Sequence, residues 1–134
     1  MLRKQTEEPA MLGTRNAVAN VAVKDLARAK EFYERTLGLK KVDEEGDELV
    51  VFESGDSVLN VYRSDYAGTN KATAVTWSVD DLEAEVRDLK AKGVTFEHYD
   101  MPETKLDGDI HVAGNMKVAW FKDPDGNILN LVKG

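Results

Sequence analysis

The sequence predicts an α+β protein in which two βαβββ modules form a cupped mixed sheet, with the helices outside. Two pairs of matching segments support this prediction. Residues 23–26 (Val-Lys-Asp-Leu) match residues 79–82 (Val-Asp-Asp-Leu) at an offset of 56, and residues 58–61 (Val-Leu-Asn-Val) match residues 128–131 (Ile-Leu-Asn-Leu) at an offset of 70. The second copy therefore contains about fourteen extra residues, which we expect in a long loop over residues 101–116.

The length of the chain favours one domain made of both copies. A copy of about fifty residues has too little core to be stable alone, whereas 134 residues can bury a substantial core. We expect a flexible N-terminal tail over residues 1–13 and a single domain over residues 14–134. Within it, the modules span about residues 14–64 and 72–133.

The first half begins with a strand over residues 16–23, which are small or β-branched. A helix over residues 26–37 follows, because its apolar residues recur at helical spacing and Gly38 is suited to end it. Short apolar runs then predict strands over residues 39–42, 48–53 and 58–62.

The second half repeats this order. A strand over residues 72–79 precedes a helix, for which Asp80 is the expected N-cap and Glu83 completes a capping box. A strand over residues 94–99 precedes the long loop. The final hairpin joins strands at residues 117–121 and 127–132 through a turn that contains Pro124 and Gly126.

Composition restricts the partners and the location. A net charge of −7 disfavours nucleic acid, whose binders need clustered Lys and Arg. This negative charge would either attract cationic ligands weakly or only keep the protein soluble. No stretch reaches the ~20 apolar residues of a membrane span, and the polar N-terminus has no hydrophobic signal region. With no cysteine in the chain, we expect a cytoplasmic protein without a membrane partner.

Asn60 and Asn130 occupy the same position in the two copies, each within an apolar strand. A buried amide without partners costs about 1–3 kcal/mol, so each side chain needs hydrogen bonds. Two interpretations are open. The two amides bond to each other, to water or to the backbone, or they are polar contacts for a ligand.

The helix that Asp25 opens, the matching start at residues 79–82 and the Asp-Pro-Asp-Gly-Asn turn at residues 123–127 resemble the vicinal oxygen chelate superfamily. This group contains glyoxalase I, extradiol dioxygenases and the fosfomycin and bleomycin resistance proteins. The resemblance covers residues 16–132. It implies the glyoxalase/bleomycin resistance fold and a homodimer, and it leaves the reaction open because this scaffold hosts several chemistries.

Metalloenzymes of the superfamily hold a divalent ion with His and Glu. The resemblance places these ligand positions at Val18, Asn60, Ala74 and Asn130. A methyl group binds no metal, and a neutral amide is a poor replacement for a carboxylate. The resemblance therefore implies a member without a metal site and without a cofactor, and it disfavours the metal-dependent activities.

If positions 18 and 74 face the cup, strand alternation assigns further residues to that face. It includes Asn60, Tyr62, Thr76 and Asn130, whereas Trp77 belongs to the core. Family resemblance adds Trp120 as an aromatic wall, with a plain core position as the alternative.

The two histidines, His98 and His111, complete the candidate ligand-binding set, although His98 is also explained by a structural or surface position. His111 lies in the long loop, which is a lid over the cup or a dimer contact.

These residues favour a binding protein that sequesters or senses a small organic molecule, as bleomycin resistance proteins do with a cationic drug. The first alternative is a metal-independent lyase or isomerase that uses His98, His111 or a loop carboxylate for acid–base chemistry. The second is a relic of the fold that acts only through its dimer surface. The sequence identifies no catalytic residue.

Overall fold

The structure is a computed structural model, and it describes residues 12–134. Residues 1–11, most of the predicted tail, lie outside the described residues. Leu12–Thr14 form a single 3₁₀ turn.

The first half forms a four-stranded sheet. Its elements are β1 (Ala19–Val23), helix α1 (Leu26–Lys30), a π-helical extension (Glu31–Thr36), β2 (Lys40–Glu45), β3 (Leu49–Ser54) and β4 (Ser57–Arg63). The strand order is β1-β4-β3-β2, with β1 parallel to β4 and the other pairs antiparallel. The order of these elements along the chain is the predicted βαβββ arrangement.

Helix α1 begins where the sequence predicted. The Asp25 carboxylate accepts a 3.1 Å hydrogen bond from the backbone N–H of Arg28, which satisfies one free donor of the first turn. After Lys30 the helix widens, and the N–H of Leu37 bonds to the carbonyl of Phe32, five residues earlier. Gly38 then takes a φ of 78°, which ends the helix.

The second half forms a six-stranded sheet. Its elements are β5 (Thr73–Ser78), helix α2 (Leu82–Ala91), β6 (Phe96–Glu97), β7 (Lys105–Asp107), β8 (Ile110–Ala113), β9 (Met116–Lys122) and β10 (Ile128–Lys133). The order is β5-β10-β9-β8-β7, and β6 also pairs with β9. The N-cap of α2 is Asp81, which accepts from the N–H of Ala84, so the prediction of Asp80 was wrong by one residue.

The predicted loop over residues 101–116 contains the hairpin β7–β8. Both β6 and β8 pair with the same edge of β9: Glu97 lies opposite Trp120, and His111 lies opposite Val118. Two short strands thus occupy the edge that β2 occupies in the first sheet, and the extra residues of the second copy connect them. The sequence predicted only a loop over these residues, because strands as short as β7 and β8 have little periodicity of their own.

One hydrophobic core joins the two halves. Tyr33 and Phe52 of the first half and Leu82, Phe121 and Leu129 of the second are completely buried in the same cluster. The predicted α+β fold class is confirmed, and the two modules form two mixed sheets where the sequence predicted one cupped sheet. No helix among residues 12–134 is both long and apolar enough to cross a membrane.

The turn at residues 123–127 fastens the second sheet to the first half. The Tyr33 hydroxyl donates to Asp123 Oδ2 at 2.7 Å, and Asn127 Nδ2 donates to the carbonyl of Ala22 at 2.8 Å. The backbone N–H of Lys24 donates to Asp125 Oδ1 at 3.1 Å. These bonds fix the position of β9 and β10, the strands that carry Trp120 and Asn130.

Candidate functional site

The second sheet has a core face and an open face. Ala119, Phe121, Leu129 and Leu131 are buried on the core face, where β9 and β10 contact α2. Strand alternation places Thr76, Trp120 and Asn130 side by side on the opposite side, because Asn130 is the register partner of both others. We call this side the open face.

Three rings meet on the open face. The ring centroids of Tyr99 and Trp120 are 5.3 Å apart at 80°, and those of His111 and Trp120 are 5.0 Å apart at 85°. The Tyr99 and His111 rings are stacked at 6.2 Å. Edge-to-face packing of this kind is favourable for aromatic rings. We call Tyr99, His111 and Trp120 the aromatic cluster.

Two grooves adjoin the aromatic cluster and share Tyr99 and Met101. The first has a volume of about 480 Å³ and is lined by Lys71, Ala72, Thr73, Tyr99, Met101, Trp120 and Ile128. The second, of about 340 Å³, is lined by His98, Tyr99, Asp100, Met101, Thr104, Leu106 and His111. Ligand pockets in proteins typically have volumes of roughly 300–1,000 Å³, so either groove suits a small molecule.

Trp120 is held in place by a hydrogen bond. Its indole N–H donates to Thr73 Oγ1 at 3.1 Å, and its side chain is half-buried at the groove. Trp77 differs: its indole N–H donates to Ser54 Oγ at 2.9 Å, and the ring packs against the core, as predicted.

Three buried polar atoms in this region have no hydrogen-bond partner among residues 12–134: Tyr99 Oη, His111 Nδ1 and Asn130 Oδ1. His111 and Asn130 are only 2% and 7% exposed. Such atoms are costly in a folded protein unless a water or a ligand bonds to them, so each is a point for a further hydrogen bond.

His98 belongs to a charged cluster at the rim of the second groove. Its Nε2 lies 2.8 Å from Asp109 Oδ1, and Lys90 Nζ lies 2.7 Å from Asp109 Oδ2. Lys90, and after it His98, hold the pKa of Asp109 below its ordinary value by hydrogen bonding to the carboxylate. His98 is half-exposed, and its ring is 6.4 Å from that of His111.

Asn60 and Tyr62 lie in the first sheet, whereas Trp120 lies in the second. Asn60 Nδ2 donates to Asn20 Oδ1 at 3.2 Å, so its partner is its neighbour on β1 and not Asn130. Tyr62 is 39% exposed. Of the candidate residues, the structure brings together Thr76, His111, Trp120 and Asn130, with His98 at the edge.

The residues present do not fit the divalent metal of the superfamily. Val18 and Ala74 offer only methyl groups, and the Asn60 amide is engaged with Asn20. Within residues 12–134, no group of three or more His, Cys, Asp or Glu side chains could hold a metal ion.

Tyr99, Thr73 and Met101 line the grooves but were not among the residues predicted from the sequence. Tyr99 ends the predicted strand over residues 94–99, and strand alternation places it on the opposite side from His98. Pairing of that strand with residues 117–121 would have placed its end beside Trp120.

Comparisons with known proteins agree with this architecture. The family model described as the Glyoxalase/Bleomycin resistance protein/Dioxygenase superfamily matches residues 15–131. A search of curated proteins found no match.

Many solved structures share the fold at low sequence identity. A lactoylglutathione lyase from Agrobacterium tumefaciens is 18% identical, with a TM-score of 0.70 over 90% of this chain and 94% of its own. The fosfomycin resistance protein FosX from Listeria monocytogenes is 14% identical, with a TM-score of 0.69 over 90% and 93%. TnmS3, an antibiotic binding protein from Streptomyces sp. CB03234, is 23% identical, with a TM-score of 0.60 over 87% and 92%.

Proposed function

Because the chain belongs to the glyoxalase/bleomycin resistance protein/dioxygenase superfamily, we propose that it binds a small organic molecule, without a metal, at the open face of its second sheet. The proposed role is sequestration or sensing of that molecule. The observation that carries the proposal is the aromatic cluster, which borders two grooves of ligand size.

Aromatic rings at a groove give a planar ligand a large contact area at low entropic cost. The Trp120 ring is fixed by Thr73 and by its two aromatic neighbours, so little conformational freedom is lost when a ligand packs on it. The antibiotic binding protein TnmS3 has the same fold, which supports a binding role without defining the ligand.

The donor chemistry supports metal independence. The four positions to which the resemblance assigns the metal ligands carry two aliphatic side chains and two neutral amides here, and these are poor ligands for a divalent cation. The absence of nucleic acid as a partner, a homodimeric state and a cytoplasmic location belong to the same proposal and rest on the acidic composition, the lack of cysteine and the family resemblance.

Native mass spectrometry of freshly purified protein tests this proposal, because one spectrum reports subunit number, bound metal and retained small molecules. We expect a dimer that carries an organic adduct and no metal. The Trp120→Ala variant should lose the adduct, whereas Trp77→Phe, which changes the indole on the core face, should retain it. One divalent ion per subunit would contradict metal independence.

A metal-independent lyase or isomerase is the second candidate, and the pair of His98 and Asp109 favours it. A histidine 2.8 Å from a carboxylate at a groove rim has the geometry of an oriented acid–base group. If this function is correct, the retained molecule will be converted to a product by the wild-type protein and left unchanged by His98→Gln.

A further inference from the structure

We propose that the ligand of the open face is an uncharged planar molecule with a lactam- or imide-type edge, which presents a hydrogen-bond donor next to an acceptor. This inference rests on the proposed binding function and defines its ligand class. It follows from the unpartnered atoms around Trp120 and from the charges that line the groove.

His111 supplies a donor. Its Nε2 lies 2.9 Å from the backbone N of Tyr99 and 3.2 Å from the carbonyl oxygen of the same residue. Because a backbone N–H can only donate, the shorter contact makes Nε2 the acceptor, so Nε2 carries the lone pair in the neutral ring. The proton is then on Nδ1. Nδ1–H is buried without a partner, and its ring lies against Trp120. A ligand carbonyl is the acceptor that would complete it.

Asn130 supplies an acceptor. Its Oδ1 is buried and unpartnered, and Asn130 is the register partner of Trp120 on the neighbouring strand. A ligand N–H would complete this atom. Tyr99 Oη, the third unpartnered atom, belongs to a ring that packs against both Trp120 and His111, and its hydroxyl is a further donor for the ligand carbonyl. A planar lactam that packs on Trp120 would satisfy these groups together.

The charges of the groove do not suit a cation, despite the net charge of −7. The groove next to Trp120 is lined by Lys71 and by no carboxylate. Nearby carboxylates are engaged: Glu97 lies 3.9 Å from Lys122, and Asp109 binds Lys90 and His98. Asp100 lines only the second groove. A cationic ligand would meet Lys71 without a free carboxylate beside the ring, which is unfavourable.

Three bicyclic probes of similar size separate these chemistries. Quinolin-2-one carries an N–H beside a carbonyl, 1-methylquinolin-2-one lacks the N–H, and 1-methylquinolinium is a cation. The indole ¹⁵N–¹H resonances of the full-length protein report binding, with Trp120 as the probe and Trp77 as the internal control. We expect quinolin-2-one to shift only the Trp120 signal.

Methylation of the N–H should weaken binding by about tenfold, because Asn130 Oδ1 is then left unpaired. The quinolinium cation should bind more weakly still. Equal affinity of the two quinolinones, preference for the cation, or no shift with quinolin-2-one at millimolar concentration would each overturn the proposed ligand class.

Two variants locate the effect. Asn130→Leu should bring the ratio of the two quinolinone affinities close to one. Tyr99→Phe removes a hydroxyl group that makes no hydrogen bond among residues 12–134, so it should fold normally and bind both quinolinones less tightly. The matched control Tyr66→Phe changes a tyrosine that is 80% exposed and should alter neither value. An unchanged ratio in Asn130→Leu, or unchanged affinity in Tyr99→Phe, would contradict the assignment.

Mass spectrometry and the probe titrations together separate a wrong ligand class from a wrong binding function. If purified protein retains an organic adduct through Trp120 but shows no lactam preference, the ligand class is wrong and the binding function stands. If no adduct is retained and none of the probes shifts Trp120, both proposals are contradicted.

Discussion

At the residue scale, the Tyr33 hydroxyl is the most informative buried polar group outside the site. It is completely buried and donates to Asp123 Oδ2 at 2.7 Å, across the contact between the two halves. Burial, and after it the Asp123 carboxylate, raise the pKa of Tyr33 far above its ordinary value of 10.0. Ionisation of this tyrosine is thus strongly disfavoured in the folded state.

Tyr33→Phe should lower the free energy of unfolding by about 1.5–3 kcal/mol, because a buried hydrogen bond to a charged group is lost. The raised pKa also predicts a pH effect. The contribution of Tyr33 to the free energy of unfolding is fully present below pH 10. It falls as the pH rises above 10, because the Tyr33 hydroxyl then loses its proton only in the unfolded chain.

Urea denaturation at about pH 8 and about pH 10.5 measures both effects. The wild type should lose more stability between these pH values than Tyr33→Phe does. Tyr66→Phe, at an exposed position, should change the free energy of unfolding by less than about 0.5 kcal/mol. If the wild type and Tyr33→Phe lose the same free energy of unfolding between these pH values, the buried hydroxyl does not cause the pH dependence.

At the element scale, the turn at residues 123–127 connects β9 and β10 and also contacts the linker between the halves. Gly68 lies in that linker with a φ of +75°, and a Cβ placed there would overlap the backbone carbonyl oxygen of Asp125. The sequence predicted this turn from Pro124 and Gly126. Its polar side chains bond to β1, to the backbone of Lys24 between β1 and α1, and to the π-helical extension, which explains their presence.

Gly68→Ala should therefore lower the free energy of unfolding by about 2–4 kcal/mol, which combines the strain of a positive φ with the displacement of the turn. The matched control is Gly46→Ala, at a φ of +53° with open space around the added methyl group. This control should lose only about 1 kcal/mol, since only the backbone strain applies. Thermal or urea unfolding of the two variants gives the comparison, and similar losses in both would exclude a specific packing role for Gly68.

At the scale of the whole molecule, the sheets of the two matching halves are unequal. The first presents an exposed face on which Asn60 pairs with Asn20. The second also contains the β7–β8 hairpin, which carries His111 to the side of Trp120. The hairpin thus completes the aromatic cluster by supplying His111. The element that distinguishes the second half from the first therefore lies at the proposed site.

The donor chemistry of both sheets predicts that added Zn²⁺, Ni²⁺ or Mn²⁺ will not stabilise the protein. A ligand bound only by the folded state raises the melting temperature once its concentration exceeds its Kd. The aliphatic and amide side chains at the positions that the resemblance assigns to the metal ligands bind these ions poorly. Differential scanning fluorimetry after treatment with a chelator measures this. A saturable increase in melting temperature at stoichiometric metal would refute the prediction.

The sequence by itself determined the fold class, the order of elements in the first half and the position of the final hairpin. It also identified most of the candidate residues on the open face. These features follow from local signals: the repeated helix starts, the alternation of strand residues and the turn residues. The offset between the copies correctly located an insertion at residues 101–116 but did not describe it.

Only the tertiary structure decided that Asn60 bonds to Asn20, that Tyr99 joins the aromatic cluster, and that Asp123 binds Tyr33 from 90 residues away. It also decided which polar atoms remain unpartnered. The physical reason is that pairing partners across strands, and the satisfaction of buried polar groups, depend on contacts between segments distant in the chain. Local propensity and spacing carry no information about those contacts.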